Sequence, residues 1–308
     1  MTTVVLISRD YDMSHLAPAI RRAAPELRVL MYGDKGTADA EVAVCWNPPA
    51  GALADLPRLR LIHSMAAGVD NIISDPTLPD APVCRVVDPG HAQGMSEFVT
   101  WGALHYLRQL DVVMANQPAE TWYRPEQRKA SDCRVGIMGL GEIGSRVAQD
   151  LRRIGFSVRG WARSARDLPG VEIFSGEGEF GAFLRDTEIL VCLLPLTELT
   201  RGILNRQTLA MLPHGAKLIH VGRGEHLVAE DVMAALRTGQ LSGAILDVFP
   251  QEPLPQGDAL WRAPNVIITP HMASVASAET IGSQVAANVR QLLSDEPLYN
   301  VVDVSRGY

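Results

Sequence analysis

Cysteines, aromatic residues and positive charge are scarce in this sequence, and long apolar runs are missing. Aromatic residues make up 6% of 308 residues, and 35 acidic against 28 basic side chains give a net charge of -7. Because the basic residues do not cluster, nucleic acid is not an expected partner. No apolar run approaches the roughly 20 residues of a membrane helix, so no membrane is expected either. A small anionic ligand would need a local cationic site.

The four cysteines are too far apart to suggest a metal site. They are Cys45, Cys84, Cys133 and Cys192, and their spacing matches no zinc motif. We expect buried, reduced thiols, no bound metal and a cytoplasmic location. The first residues have no basic leader, and their short apolar run favours a strand over a signal peptide.

Short apolar or β-branched segments alternate with helical patterns along the whole chain. This alternation predicts parallel sheets built from βαβ units. The chain length and a hydrophobic fraction of 47% allow two cores. The five strands of the first series are predicted at Val4–Ile7, Val29–Tyr32, Val42–Cys45, Leu61–Ser64 and Val83–Val87. The six strands of the second series are predicted at Arg134–Met138, Val158–Trp161, Ile189–Leu194, Leu218–Val221, Ala244–Val248 and Val266–Thr269.

Two long helices help to assign these strands to domains. Residues Ser96–Ala115 have apolar positions at three- and four-residue spacing, which predicts one helix between the two series. A last helix at Ala278–Leu293 follows the second series, and we expect it to return to the first domain. The predicted fold is therefore α/β with two doubly wound parallel-sheet domains. They are a flavodoxin-like substrate domain of residues 1–97 and 275–308, and an inserted Rossmann dinucleotide-binding domain of residues 98–274.

A glycine-rich segment follows the first strand of the second series. Gly139, Gly141 and Gly144 form the pattern Gly-x-Gly-x-x-Gly between that strand and a predicted helix. We expect Gly139 to make the tight turn, Gly141 to let the backbone approach a pyrophosphate, and Gly144 to let helix and strand pack closely. The helix N-terminus would add N–H groups and the positive end of a dipole. This order of elements predicts a dinucleotide site.

The end of the next strand predicts the cofactor preference. An NAD enzyme places Asp or Glu there, about 20 residues after the glycines, to bind the ribose 2′-hydroxyl. This chain has Ala162 at the acidic position, followed by Arg163 and Ser164. A guanidinium and a hydroxyl suit a 2′-phosphate, although a solvated surface arginine is the alternative for Arg163. We expect NADPH as the cofactor, with weaker use of NADH.

Three ionisable residues follow three strands of the second series. Arg223, Glu252 and His271 come after the fourth, fifth and sixth strands. Ligands bind at this carboxyl edge of an open α/β sheet. A ketoacid reductase needs a cation for the carboxylate, an acid for the carbonyl oxygen and an anion to orient that acid. Each residue alone has a structural alternative, as a capping arginine, a solvated glutamate or a core histidine. Their occurrence together favours catalysis.

These segments together resemble the D-2-hydroxyacid dehydrogenase family, and most of all its bacterial glyoxylate/hydroxypyruvate reductase branch. The similarity extends from about Trp46 to the C-terminus. It implies NADPH-dependent reduction of small 2-ketoacids, glyoxylate to glycolate and hydroxypyruvate to glycerate. Arg223 would bind the substrate, His271 would donate the proton and Glu252 would be its partner. The resemblance also implies a homodimer formed through the nucleotide domains.

The resemblance further implies a set of binding residues. Backbone N–H groups of Ala67 and Gly68 would hold the substrate carboxylate, whereas Trp46 either lines the substrate pocket or belongs to the core. The implied cofactor-binding residues are Gly139, Leu140, Gly141, Glu142, Ile143, Gly144, Arg163, Ser164, Leu194, Pro195, Val221, Gly222 and Asp247. Of these, Asp247 would lie near the nicotinamide amide. The segment 193–195 departs from the family pattern, because many members have a polar residue there.

Two other functions stay open at this point. A dinucleotide-sensing corepressor or scaffold could use the same fold, although it would not need Arg223, Glu252 and His271 together. A dehydrogenase of another acid, such as a larger aliphatic or aromatic 2-ketoacid or 3-phosphoglycerate, would keep all three. Rates with a panel of ketoacids would separate these functions.

Overall fold

The computed structural model describes residues 1–304, and the chain divides into two compact units. The first contains residues 1–91 and the chain from Val275 onwards, and the second is Ala92–Ser274. The division therefore lies at 91/92, whereas the sequence placed it at 97/98. Both positions fall inside one helix, Pro89–Leu107, so no loop or change of composition marks the point.

The strands and helices follow one another in the alternation expected of βαβ units. The strands are β1 (Thr3–Ser8), β2 (Arg28–Met31), β3 (Val42–Trp46), β4 (Leu61–Ser64), β5 (Val83–Cys84), β6 (Arg134–Met138), β7 (Ser157–Ala162), β8 (Glu172–Ser175), β9 (Ile189–Cys192), β10 (Ala216–His220), β11 (Leu241–Leu246) and β12 (Val266–Ile268). The helices are α1 (Ala17–Ala23), α2 (Asp70–Ile73), α3 (Pro89–Leu107), α4 (Leu110–Asn116), α5 (Glu142–Ile154), α6 (Phe180–Arg185), α7 (Arg206–Ala210), α8 (Ala229–Thr238) and α9 (Ala278–Leu293).

The first unit is built on a five-stranded parallel sheet. Its strand order is β2-β1-β3-β4-β5, the flavodoxin-like order 2-1-3-4-5 that the sequence predicted. Both faces of the sheet are covered, since Val4 and Leu6 pack in one core cluster and Val5 and Ile7 in another. This explains why the strand sequence is apolar at consecutive positions instead of alternating.

Helix α9 returns to the first unit, as predicted. It spans Ala278–Leu293, the predicted range, and Ser277 caps its N-terminus by accepting a hydrogen bond from the Thr280 N–H at 3.1 Å. Ile281 and Val285 lie in the core cluster of β1. Gly282 allows close packing on α1, because a Cβ at this position would lie 2.8 Å from the Ala19 carbonyl carbon.

The second unit is built on a seven-stranded parallel sheet. Its strand order is β12-β11-β10-β9-β6-β7-β8. Counted within the unit, this is the Rossmann order 3-2-1-4-5-6 with a seventh strand added at the edge. Alternate residues of β9 point to opposite faces, with Ile189 and Val191 in one core cluster and Leu190 and Cys192 in the other. The predicted fold class is confirmed.

Three details of the predicted elements were wrong. The predicted helix Ser96–Ala115 is divided into α3 and α4, because Gln109 has a left-handed backbone conformation with φ of 52°. The second series has seven strands instead of six, since β8 was not predicted. The predicted strand Val83–Val87 ends at Cys84. Within residues 1–304, no helix is long and apolar enough to cross a membrane.

Candidate active site

The glycine-rich turn has the geometry that a bound dinucleotide would require. It follows β6, and Gly139 has φ of +100°, a conformation that favours glycine. A Cβ on Gly144 would lie 1.9 Å from the Gly139 carbonyl oxygen, so α5 can pack on the turn only without a side chain there. A Cβ on Gly141 would meet no atom within 4 Å. The turn therefore leaves space in front of Gly141 and at the α5 N-terminus, where a pyrophosphate fits.

The end of β7 presents a polar, exposed segment without an acidic residue at the position that binds a ribose hydroxyl. Ala162 is the last residue of the strand and is 6% exposed. Arg163 and Ser164 follow it and are exposed to solvent. A cationic and a hydroxyl side chain thus lie at the strand end where an NAD enzyme has a carboxylate.

The ends of β9 and β10 approach each other. Leu194 and Pro195 follow β9, and the Leu194 carbonyl oxygen would lie 3.3 Å from a Cβ on Gly222, which follows β10. The Pro195 carbonyl accepts a hydrogen bond from Thr200 Oγ1 at 2.8 Å. Val221, between β10 and Gly222, is 4% exposed. Four of the predicted cofactor-binding residues therefore lie at one sheet edge.

Arg223, Glu252 and His271 follow the adjacent parallel strands β10, β11 and β12. Gly224 links the first two loops, since a Cβ at Gly224 would lie 1.9 Å from the Phe249 carbonyl carbon. The Phe249 N–H in turn donates a hydrogen bond to Glu252 Oε1 at 2.9 Å. A continuous set of contacts therefore runs from the Arg223 turn through the backbone at Phe249 to Glu252 and on to His271.

Glu252 and His271 form the closest pair of ionisable side chains in this set. His271 Nδ1 lies 2.7 Å from Glu252 Oε2, and both side chains are more than two-thirds buried. The carboxylate thereby fixes the imidazole plane and holds the proton on Nδ1. This is the arrangement expected of a histidine that acts as an acid or base through its other nitrogen, Nε2.

Asp247 anchors the segment that contains His271. Its carboxylate accepts hydrogen bonds from Thr269 Oγ1 at 2.5 Å, from the Met272 N–H at 2.9 Å and from the Ala273 N–H at 3.0 Å. Its carbonyl accepts another from the His271 N–H at 2.8 Å. Asp247 is 1% exposed, and these bonds hold His271 in a left-handed conformation with φ of 51°. The role predicted for Asp247, near the nicotinamide amide, stays a prediction.

Comparison with known proteins identifies the family. Residues 100–273 match the model for the D-isomer specific 2-hydroxyacid dehydrogenase, NAD binding domain. Glyoxylate/hydroxypyruvate reductase A of Escherichia fergusonii is 39% identical over 307 residues, and the match covers 97% of each chain. This chain belongs to the D-isomer specific 2-hydroxyacid dehydrogenase family. The matched residues lie within the second unit of this dehydrogenase.

Solved structures of other 2-hydroxyacid dehydrogenases match over nearly the whole chain. A protein from Klebsiella pneumoniae has 44% identity and a TM-score of 0.90, covering 99% of this dehydrogenase and 98% of that chain. One from Xanthobacter autotrophicus, in complex with NADPH and MES, has 39% identity and a TM-score of 0.88, covering 100% and 99%. The NADPH-dependent glyoxylate/hydroxypyruvate reductase of Sinorhizobium meliloti, with NADP and sulfate, has 34% identity and a TM-score of 0.89, covering both chains fully.

The predicted substrate residues of the first unit lie after β3 and β4. Trp46 ends β3 and is partly buried against the core cluster of that unit, so its side chain has a core face and an accessible face. Ser64 Oγ holds the following loop by donating to the Gly68 carbonyl at 2.8 Å and accepting from the Ala66 N–H at 3.1 Å. The predicted contact of Ala67 and Gly68 with the substrate stays a prediction.

Two buried histidines beside Arg223 were not predicted from the sequence. The Arg223 N–H donates to His226 Nδ1 at 3.0 Å, and His220 Nε2 lies 2.9 Å from the Arg223 carbonyl oxygen. Both imidazoles are 0% exposed. The short spacing from Arg223, three residues on each side, was the only sequence signal for them.

In the part of the chain that the structure describes, one group of side chains has the composition of a metal site. It consists of Cys192, His220 and His226, whose ligand atoms lie within 4.8 Å of one another. Burial raises the pKa of the Cys192 thiol to about 12, which opposes the thiolate that a metal needs. His226 Nδ1 accepts from the Arg223 N–H, and its Nε2 lies 3.3 Å from the Pro195 carbonyl oxygen, so both nitrogens of this ring are engaged and the group is better explained as structural.

Proposed function

We propose that this dehydrogenase reduces small 2-ketoacids with NADPH, with glyoxylate and hydroxypyruvate as its substrates. The observation that carries this proposal is the pairing of His271 with Glu252 at 2.7 Å, in contact through the backbone with the Arg223 turn. A cation, an oriented acid and an anion are the groups that a ketoacid reductase requires. The relatives from Escherichia fergusonii and Sinorhizobium meliloti are glyoxylate/hydroxypyruvate reductases, which supports the same substrates.

Arg223 binds the substrate carboxylate in this proposal. Its guanidinium is partly buried, and one of its nitrogens lies 2.9 Å from the Gly222 carbonyl oxygen. A planar guanidinium can donate two parallel hydrogen bonds to a carboxylate, which fixes both the position and the orientation of a small acid. This positive charge attracts an anionic substrate locally, although the chain as a whole has a net charge of -7.

His271 donates the proton to the carbonyl oxygen. Glu252 accepts a hydrogen bond from the Nδ1–H, so the proton that leaves is the one on Nε2. Loss of that proton converts an imidazolium into a neutral imidazole that is still hydrogen-bonded to the carboxylate. When bound, the nicotinamide supplies the hydride that makes the 2-hydroxyacid. Positioning of the two reactants can contribute about 7–11 kcal/mol and the proton transfer about 10²- to 10⁴-fold in rate.

NADPH is the preferred cofactor because the β7 end has Arg163 and Ser164 and no carboxylate after Ala162. The guanidinium would bind the 2′-phosphate, and the hydroxyl of Ser164 would donate a further hydrogen bond. The glycine turn at 139–144 and the α5 N-terminus would hold the pyrophosphate, and Leu194, Pro195, Val221 and Gly222 border the same edge. The cofactors in the relatives' structures, NADPH and NADP, support this choice.

A panel of substrates tests the reaction. Initial rates with NADPH should be highest for glyoxylate and hydroxypyruvate, lower for pyruvate and lowest for phenylpyruvate. A higher kcat/KM for phenylpyruvate would show a dehydrogenase of larger acids, the second candidate of the same family. No turnover of any 2-ketoacid, with NADPH still bound, would instead favour a dinucleotide sensor and contradict the proposal.

We also propose that two copies of this chain form a dimer through the nucleotide units. The segment from α4 to Tyr123 has five large apolar side chains that are 40–98% exposed: Leu110, Val113, Met114, Trp122 and Tyr123. So many neighbouring apolar groups suggest a covered face. Light scattering should give a dimer, and Met114→Glu with Trp122→Glu should give a monomer. Leu199→Glu, at an 84% exposed position outside the segment, is the matched control. A monomeric unmodified protein would contradict the dimer.

The cytoplasm is the proposed location. All four cysteines are unpaired and buried, which suits a reducing compartment. Fractionation of the source cells should recover the NADPH-dependent activity with cytoplasmic marker enzymes. Recovery with periplasmic or membrane markers would contradict this location.

A further inference from the structure

We propose that His220 and His226 are positioning residues that fix the Arg223 peptide from both sides and thereby aim its guanidinium at the substrate carboxylate. This inference rests on the proposed function of Arg223. Neither histidine touches the reacting atoms in the proposed mechanism. They belong to the substrate-binding apparatus only through the backbone that they hold.

The two hydrogen bonds fix which nitrogen of each histidine bears hydrogen. The Arg223 N–H donates to His226 Nδ1 at 3.0 Å, so this nitrogen has no hydrogen and the proton of the neutral ring lies on Nε2. The Arg223 carbonyl can only accept, so His220 Nε2 donates to it across 2.9 Å. One imidazole thus acts as an acceptor and the other as a donor, and together they satisfy both polar groups of the Arg223 backbone.

Close packing keeps the two rings in place. Both are 0% exposed, and they meet edge to face with their centroids 5.7 Å apart. His226 Nε2 lies 3.3 Å from the Pro195 carbonyl oxygen, so the ring also connects the turn to the loop after β9. A Cβ on Gly222 would lie 2.9 Å from His226 Nδ1, so the imidazole fits only because residue 222 is glycine. On its other side the turn packs closely on Phe249, because Gly224 has no side chain.

A neutral imidazole at each position holds Arg223 in this way, and the acceptor role of His226 requires one. Burial lowers the pKa of His220 to about 3, so the ring is neutral at physiological pH and donates from Nε2 alone. At His226 a proton on Nδ1 would face the Arg223 N–H and abolish that hydrogen bond. A buried N–H without its acceptor would force the turn to rearrange. A displacement of about 1 Å at a positioned group can cost about 10²-fold in rate.

Amide replacements of His226 test the inference, because their atoms overlay different nitrogens of the ring. Asn places an oxygen near the position of Nδ1, whereas Gln places its polar end near Nε2 and Leu supplies neither. His226→Asn should keep KM for glyoxylate within about threefold of the unmodified enzyme. His226→Gln and His226→Leu should raise KM about ten- to a hundredfold, with the dissociation constant of NADPH changed less than about twofold.

His105→Leu is the matched control for loss of a buried imidazole. His105 is 4% exposed, lies in α3 of the same unit and makes no hydrogen bond to the Arg223 turn. Its replacement should leave KM for glyoxylate unchanged. Equal KM values for His226→Asn, His226→Gln and the unmodified enzyme would overturn the inference, and so would an equal rise in His105→Leu.

Hydrogen exchange separates failure of this inference from failure of the proposed function. Peptides that cover residues 221–228 should exchange faster in His226→Gln than in His226→Asn, whatever reaction the protein catalyses. His220→Gln, which keeps a donor near Nε2, should exchange more slowly than His220→Leu. If these differences appear while Arg223→Ala keeps full activity on glyoxylate, the histidines hold the turn and the proposed function is wrong. Unchanged exchange in all four variants would refute the positioning role itself.

Discussion

Arg223 offers the sharpest test of substrate recognition at the scale of one residue. Arg223→Lys keeps the positive charge but replaces a planar group with an ammonium that cannot make two parallel bonds to a carboxylate. We expect kcat/KM for glyoxylate to fall at least about a hundredfold, a loss of about 2.7 kcal/mol. Arg237→Lys, at an exposed position in the last turn of α8, is the control.

The affinity for NADPH distinguishes the two possible roles of this arginine. It should be the same in Arg223→Lys and in the unmodified enzyme, because the proposed role of the guanidinium is to bind the substrate carboxylate and not the cofactor. A variant that binds NADPH weakly but keeps its kcat would show that Arg223 holds the cofactor instead.

Glu252 can be tested without disturbing the loop in which it lies. Gln in its place keeps a carbonyl oxygen for the Phe249 N–H, which now donates to Oε1 at 2.9 Å, so the backbone contact survives. The charge opposite His271 is lost, and we expect kcat for glyoxylate reduction to fall about ten- to a hundredfold. The measurement is single-turnover NADPH oxidation, which isolates chemistry from product release.

Glu230→Gln is the control for this substitution, because Glu230 is exposed in the first turn of α8. It should have the rate of the unmodified enzyme. If Glu252→Gln also turned over at that rate, the carboxylate would have no part in proton transfer.

The sequence predicted Arg223, Glu252 and His271 because strand ends are visible in a hydrophobic pattern. Ligands bind at the carboxyl edge of a parallel sheet, so an ionisable residue just after a strand is a candidate by position alone. His220 and His226 could not be found in this way. Their role depends on how one turn folds back on itself, and no hydrophobic pattern describes that.

At the scale of elements, the central strands were predicted well, whereas the edge strand β8 was missed. The strand β9 is buried on both faces, and its consecutive apolar residues are distinctive. The strand β8 lies at the edge of its sheet, and its side chains are only partly buried or exposed, so its sequence resembles a loop. The break between α3 and α4 lies at Gln109, where no glycine or proline marks it.

The proposed role of the end of β7 in cofactor preference can be tested by substitution. Ala162→Asp combined with Arg163→Ala adds a carboxylate for the ribose hydroxyls and removes a cation for the 2′-phosphate. The unmodified enzyme should prefer NADPH at least about tenfold in kcat/KM, and the double variant should prefer NADH. Each charge-assisted bond to the phosphate accounts for about 1.5–3 kcal/mol, less where water screens it.

Arg166→Ala is the matched control for this strand end, because Arg166 is an exposed arginine three residues further along the chain. It should leave the preference unchanged. Equal kcat/KM values for NADH and NADPH in the unmodified enzyme would contradict the role of Arg163 without affecting that of His271.

At the scale of the whole molecule, the inserted nucleotide domain was predictable from one helix. The first strand series is complete before residue 100, and one helix follows the second series. Together these features imply that the chain returns to the first domain. The point at which the chain leaves the first unit was less predictable, because α3 continues across it without interruption. Each unit thus completes its own sheet and core, and each has its own buried titratable groups.

Buried histidines make both units sensitive to acid. Burial lowers the pKa of His63 in the first unit to about 4 and that of His220 in the second to about 3, from an ordinary value of 6.5. Between pH 6.5 and about 4 the unfolded chain therefore binds more protons than the folded chain. The stability that these histidines allow is fully present above pH 6.5 and is lost as the pH falls. Each of these histidines lowers the free energy of unfolding by about 1.36 kcal/mol for each pH unit in that range.

His63→Asn removes one of these groups while keeping its hydrogen bond. His63 Nδ1 lies 2.7 Å from the Ser64 carbonyl oxygen, and the Asn amide can donate to the same acceptor without titrating. Between pH 7.5 and 5.0 the variant should lose about 2 kcal/mol less stability than the unmodified protein, a difference of about 4–8 °C in Tm. His214→Asn, at an exposed position, is the control and should follow the unmodified protein. Parallel Tm curves for His63→Asn and the unmodified protein would mean that His63 is not held neutral in the folded chain.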